Sequence, residues 1–219
     1  MATDPRTADQ NLDRLRRTAV LAVLRAPSVD AALRASEALV AGGVTGLEIT
    51  YSTPDVAMVI STLAERYGGD VYLGAGTVTT ADQAREAASA GAEFLVSPGT
   101  VPDLVSAMRA TGRTVMTGAL TPTEVMVATG LNVDVIKIFP ASLGGPGFLK
   151  SLKGPFPDAV LMPTGGVTPA NLADWFAAGA VAVGAGSDLV SARDLATADW
   201  PAITANAQAF VAALSAARG

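Results

Sequence analysis

The sequence predicts a (β/α)8 barrel, a ring of eight parallel strands with helices packed around it. Three observations lead there. Short β-rich runs alternate with helical stretches from end to end, eight times over, and no linker or low-complexity segment interrupts them. The helical stretches are alanine-rich and close on glycine, and these marks recur every roughly 20 to 25 residues, as an internal βα repeat would require. A length of 219 residues is long for an ordinary domain but normal for one barrel. Residues 1–219 are therefore read as a single barrel domain, with residues 1–17 as an N-terminal helix or arm.

Within that arm, Asp9 to Arg17 is expected to form an extra helix that covers the bottom of the barrel. The strands then follow in order: Ala19 to Arg25, Gly46 to Thr50, Val71 to Gly76, Glu93 to Ser97, Thr114 to Gly118, Asp134 to Phe139, Val160 to Thr164 and Val181 to Gly184. Between them, Ala41-Gly42-Gly43, Tyr67-Gly68-Gly69, Ala90-Gly91, Thr111-Gly112, Thr129-Gly130 and Ala178-Gly179 end helices, glycine supplying the left-handed residue after the last turn. Helix starts are marked too. Thr53-Pro54, Thr121-Pro122 and Thr168-Pro169 put a capping hydroxyl before a proline suited to the first helical position, and Thr121 to Glu124 has capping-box spacing. A doubly wound open sheet is the alternative fold. It would want a glycine-rich turn after the first strand, and Arg25-Ala26-Pro27-Ser28 is not one.

Composition narrows the chemistry. Half of the residues are hydrophobic and only 16% are charged, enough for a large core. A net charge of -5, with no basic stripe, argues against nucleic acid as a partner. The polar start Met1-Ala2-Thr3-Asp4-Pro5-Arg6 lacks signal-peptide character, and no apolar run approaches the ~20 residues of a membrane span. The expectation is a soluble, cytoplasmic protein without a membrane partner. There is no histidine and no cysteine. Thiolate catalysis, a Ser-His-Asp triad and imidazole-held metal are thereby excluded, and acid-base work falls to Glu, Asp, Lys and Tyr.

Lys137, one of three lysines, sits inside the apolar run Val133-Asp134-Val135-Ile136-Lys137-Ile138-Phe139. Lysine is rarely buried without a partner or a task, and burial disfavours the ammonium, leaving an amine able to attack a carbonyl. An imine-forming enzyme follows from that reading; a stem snorkelling from an edge strand to solvent is the competing one. In a barrel the C-terminal strand ends share one mouth, which gathers Arg25, Glu48, Thr77, Pro98, Lys137, Thr164 with Gly165-Gly166, and Gly186-Ser187. Glu48, in Gly46-Leu47-Glu48-Ile49-Thr50, is a second charge inside an apolar strand. It is either the general acid-base or half of a structural ion pair with Lys137. Gly165-Gly166 and Gly184-Ala185-Gly186-Ser187 could cradle an anion at helix starts, or simply make tight turns. Arg25 could fork to a carboxylate or form a surface ion pair. Lys150 and Lys153 read as the solvated face of a short helix.

Six motifs, in order, now stand together: Gly46-Leu47-Glu48-Ile49-Thr50, Gly74-Ala75-Gly76-Thr77-Val78, Val96-Ser97-Pro98-Gly99, Ile136-Lys137-Ile138-Phe139-Pro140, Pro163-Thr164-Gly165-Gly166-Val167 and Gly184-Ala185-Gly186-Ser187. From about Ala19 to Val190 the chain resembles the 2-keto-3-deoxy-6-phosphogluconate aldolase family, the KDPG/KHG aldolases. The resemblance implies a class I aldolase that splits this phosphorylated keto acid into pyruvate and glyceraldehyde 3-phosphate, with 4-hydroxy-2-oxoglutarate as a further substrate of some members. It implies Lys137 as the Schiff-base residue, Glu48 as the proton shuttle, and Thr77 and Thr164 as residues that seat the pyruvyl part. Pro98 and Phe139 match its apolar packing, and Gly165, Gly166, Gly186 and Ser187 the phosphate site. Members are homotrimers that need no cofactor and no metal. Where several carry an arginine shortly after the glutamate, this chain has Thr50-Tyr51-Ser52-Thr53; members with a similar Ser-Thr-Pro turn use the arginine of a Val-Leu-Arg-Ala motif, which Val23-Leu24-Arg25-Ala26 fits. Two further readings are an aldolase for the galactonate epimer or another 2-keto-3-deoxy acid, and a non-catalytic trimeric scaffold on the same barrel.

Overall fold

A computed structural model of the chain describes residues 5–218, with side chains from residue 12 onward; residues 1–4 of the expected arm lie outside the described residues. The described residues form eight parallel strands: β1 (Val20–Leu24), β2 (Gly46–Thr50), β3 (Tyr72–Gly76), β4 (Phe94–Ser97), β5 (Thr114–Ala119), β6 (Val135–Ile138), β7 (Leu161–Pro163) and β8 (Val183–Ala185). Each strand pairs with its neighbour in sequence, and β8 pairs with β1. Bridges between Leu161 and Ala180 and between Thr164 and Gly184 join β7 to β8 and close the ring. The eight predicted strands are all present, β2 with the expected bounds and the other seven within one or two residues at an end.

The pleat divides the core in two. Outward residues such as Ala22, Leu24, Leu47, Ile49, Leu95, Val115, Ile136 and Ile138 pack under the helices, whereas Leu21, Tyr72, Phe94, Val96, Met116, Val135, Met162 and Ala182 fill the ring itself. The expected N-terminal helix runs Pro5–Thr18. Its Leu15, fully buried, joins the interior cluster and plugs the lower end. Arg14 fastens it there, its guanidinium lying 5.2 Å from the centre of the Tyr72 ring, donating to the Val71 carbonyl at 2.7 Å and pairing with Glu93. Burial pushes the Tyr72 hydroxyl up to about 12.

The punctuation read from the sequence mostly holds. Gly43, Gly68, Gly91, Gly112 and Gly179 all take positive φ after helices. After the helix Pro122–Gly130 the left-handed residue is Asn132, two positions beyond the expected Gly130. Thr121 and Thr168 form capping boxes with Glu124 and Asn171. Thr53 does not cap a helix: the helix begins at Val56, and the buried Thr53 hydroxyl instead accepts the amide hydrogen of Ala26 at 3.1 Å, tying the β2 turn to the β1 turn. Lys150 is exposed as expected. Lys153 is only part-exposed, because its ammonium donates to the carbonyls of Pro157 and Ala159 at 2.9 and 2.7 Å and folds the following loop against its helix. Among the described residues no helix is long and apolar enough to cross a membrane.

Candidate active site

Strand parity decides where the two buried charges point. Lys137 lies two residues beyond Val135 on β6, and Val135 belongs to the interior cluster, so the lysine is directed into the ring rather than toward the helices. Glu48 enters from β2, where it pairs in register with Val23 of β1 and Gly74 of β3. The two side chains meet inside the barrel, Lys137 Nζ donating to Glu48 Oε1 at 3.5 Å, with 4% and 0% of the side chains exposed. The distance is long for a charge-assisted hydrogen bond. Glu48 Oε2 is buried with no hydrogen-bond partner. A pair held for stability alone would be expected to satisfy its remaining polar atoms, and this one leaves Glu48 Oε2 without a protein partner.

Room for that carboxylate comes from a glycine. A Cβ placed on Gly76 would lie 2.0 Å from Glu48 Oε1 and 2.6 Å from its Cγ and Cδ, so β3 can stand beside β2 only without a side chain there. Across the ring, Gly184 does the same for Thr164, whose Oγ1 would meet a Cβ at 2.4 Å. Thr164 shares the inward parity of Met162. It is 4% exposed, and its hydroxyl has no partner. The Phe139 ring, 36% exposed, has its centre 5.3 Å from Lys137 Nζ. Pro98 is exposed at the end of β4.

Arg25 follows β1 with the inward parity of Val23, one layer above Glu48. Its Nη1 donates to Ser52 Oγ at 3.2 Å and to Thr77 Oγ1 at 3.3 Å, so the guanidinium reaches across the end of β2 to the end of β3. Thr77 holds φ 55, an uncommon conformation for a β-branched residue, as the chain leaves β3.

The glycine turns sit side by side, because the Thr164 and Gly184 bridge joins their strands. Gly165 and Gly166 take φ 94 and 75. Contrary to the sequence expectation, neither turn opens directly into an α-helix. A short 3-10 turn, Pro169–Asn171, follows the first, while Gly186 begins a single turn in which its carbonyl accepts from the amides of Leu189 and Val190, both at 2.9 Å. Helix resumes only at Ala192. Among the described residues the amides of Gly165, Gly166 and Ser187 have no backbone acceptor, so hydrogen-bond donors do remain for an anion.

The family model for KDPG and KHG aldolases matches residues 12–206. The chain belongs to the KDPG and KHG aldolase family. It is 36% identical over 195 residues to a 2-dehydro-3-deoxy-phosphogluconate aldolase of Treponema pallidum (strain Nichols), a match covering 89% of this chain and 92% of the relative. It is 35% identical to a 2-dehydro-3-deoxy-6-phosphogalactonate aldolase of Escherichia coli (strain K12), covering 79% and 85%. Among solved structures it is similar to a KDPG aldolase from Legionella pneumophila with pyruvate captured as a covalent carbinolamine, with a TM-score of 0.84, 31% identity, and 92% and 98% of the two chains covered.

For an aldolase of this family the arrangement has a plain chemical meaning. A lysine nitrogen and a glutamate carboxyl group, both closed off from bulk water, stand together where one carbon skeleton could reach both. Three contributors escaped sequence reasoning. Gly76 was read only as part of a motif, and its steric role depends on the β2/β3 register. Ser52 stands in the sequence only where an arginine is missing and Thr50 only at the end of a motif, yet the Ser52 hydroxyl accepts from Arg25 and the Thr50 hydroxyl contacts that of Ser52.

Proposed function

We propose that this chain is a class I aldolase that reversibly cleaves 2-keto-3-deoxy-6-phosphogluconate to pyruvate and glyceraldehyde 3-phosphate. The observation that carries the reading is the buried contact of Lys137 Nζ with Glu48 Oε1, at 3.5 Å inside the barrel. The Lys137 amine attacks the C2 ketone to give a carbinolamine, and loss of water leaves a protonated imine. Glu48 takes the C4 hydroxyl proton as the C3–C4 bond breaks, the bonding electrons passing into the imine to form an enamine. Glyceraldehyde 3-phosphate departs. Protonation at C3 and hydrolysis then release pyruvate and restore the amine. Arg25 holds the substrate carboxylate; Thr77, Thr164, Pro98 and Phe139 seat the pyruvyl part; Gly165, Gly166, Gly186 and Ser187 receive the phosphate. No step calls on a metal or cofactor.

A second substrate reading, the galactonate epimer, is favoured by the 35% identity to a phosphogalactonate aldolase. Initial rates of pyruvate release from both C4 epimers, with 4-hydroxy-2-oxoglutarate as the unphosphorylated comparison, test the assignment. The gluconate acid is expected to give the highest kcat/KM, and a higher value for the galactonate acid would move the assignment to that epimer. Absence of pyruvate from every keto acid would favour a non-catalytic scaffold. The cytoplasmic location and the homotrimer belong to the same proposal. Supporting an assembly of copies, the exposed apolar residues Val101, Met126, Val127 and Leu143 follow the consecutive strands β4, β5 and β6 and so share one flank.

A further inference from the structure

The Arg25 guanidinium does not stand alone at the mouth. Thr50 Oγ1 donates to the Leu24 carbonyl at 2.9 Å and lies 2.7 Å from Ser52 Oγ. A threonine hydroxyl has one hydrogen. With that hydrogen on Leu24, the short contact is made by Ser52 donating to Thr50, which turns the lone pairs of Ser52 toward Arg25 Nη1, 3.2 Å away. The bonds therefore run in one direction, from Arg25 to Ser52 to Thr50 to the carbonyl of Leu24. Leu24 immediately precedes Arg25, so the relay begins and ends on the same turn of chain.

We propose that Ser52, backed by Thr50, is a positioning residue that aims Arg25 at the carboxylate of the keto acid. This rests on the reading of Arg25 as the carboxylate contact and deepens it. Nη1 carries two hydrogens, and Ser52 and Thr77 are acceptors for both. Rotation about the last bonds of the side chain is thereby restricted. The edge formed by Nε and Nη2 is left for a ligand, and two parallel N–H groups on that edge match the two oxygens of a carboxylate. Donors arranged in series polarise one another, so the Ser52 oxygen is a better acceptor for carrying its own hydrogen to Thr50. Thr50 itself is buried, which fixes the inner end of the relay, while the guanidinium end is exposed at the mouth.

The test uses borohydride trapping of the imine on the intact protein, with two ketones. Pyruvate carries the carboxylate and hydroxyacetone does not. Ser52→Ala is expected to raise the pyruvate concentration for half-maximal trapping about tenfold, the order of a lost hydrogen bond to a charged group. Trapping of hydroxyacetone should be unchanged, and Ser52→Thr, which keeps the hydroxyl, should restore pyruvate binding. In the Arg25→Gln background, Ser52→Ala should add no further loss. If Arg25→Gln raises the half-maximal pyruvate concentration but Ser52→Ala does not, the positioning role is wrong and the Arg25 reading survives. If Arg25→Gln itself leaves pyruvate trapping unchanged, the carboxylate reading fails, and the role of Ser52 with it. Equal losses for pyruvate and hydroxyacetone in Ser52→Ala would mark a general structural effect and overturn the proposal.

Discussion

Gly76→Ala adds one methyl group at the point where β3 passes the proposed proton carrier. The added Cβ would start 2.0 Å from Glu48 Oε1 and 2.6 Å from Cγ and Cδ, whereas Cβ atoms essentially never approach other heavy atoms within 3.0 Å. The carboxylate must therefore retreat by at least about 1 Å or turn to another rotamer. Glu48 is fully buried, so it cannot swing into solvent. Overpacking of this kind typically costs about 1–3 kcal/mol of stability. A misplacement of about 1 Å at a reacting group costs on the order of 100-fold in rate. The expected result is thus a protein with parental circular dichroism, a melting temperature lowered by roughly 2–4 °C per kcal/mol lost, and kcat down about 100-fold. Melting curves and a coupled assay for pyruvate release measure the two effects on one preparation. A kcat within threefold of the parent would show that Glu48 has no fixed position for the added methyl group to disturb.

Three further perturbations address other parts of the site and the frame. Glu48→Gln keeps the side-chain shape without a titrating group and is expected to slow turnover by about 100-fold or more while the protein remains folded; an unchanged rate would remove the acid-base role. Thr164→Val deletes a buried hydroxyl that has no partner, so thermal stability should hold or rise, while the KM of the keto acid rises if that hydroxyl meets substrate; a lower melting temperature with unchanged KM would contradict both halves. Asp134 is expected to make stability fall as pH rises: desolvation raises its pKa in the folded state, against the opposing hydrogen bond from Val115 and the charge of Arg109. The native state then holds the proton more tightly than the unfolded chain, so this stabilisation is full below the unfolded value near pH 4 and is lost as pH climbs through the raised folded value. Urea midpoints across that window should show Asp134→Asn gaining on the parent with rising pH, and parallel curves would count against the shift.

Much of the fold was legible because the βα repeat writes its boundaries in local chemistry. Alanine-rich helices closing on glycine and threonine caps at Thr121 and Thr168 are decided within a few residues of themselves, and the structure keeps most of them. Thr53 was misread for a tertiary reason: its hydroxyl found the Ala26 amide on the neighbouring turn, a partner that sequence spacing does not reveal. Lys153 likewise left the solvent to bind two carbonyls of its own following loop. Lys137 and Glu48 stood out because charges inside apolar strands are costly and therefore conspicuous. Their proximity, however, depends on ring closure and on register across β2, β3 and β6. The steric demand on Gly76 and the directed hydroxyl relay of Thr50 and Ser52 are consequences of that register, and no property of those residue types announces them.

The proposed reaction begins with a covalent bond between the Lys137 nitrogen and a keto acid. Incubation of the protein with pyruvate and sodium borohydride, followed by peptide mass mapping, detects that bond. The expected result is one reduced pyruvyl adduct per chain, confined to the peptide containing Lys137 and absent from Lys137→Ala. An adduct on Lys150 or Lys153 instead, or none at saturating pyruvate, would rule out Lys137 as the imine-forming residue.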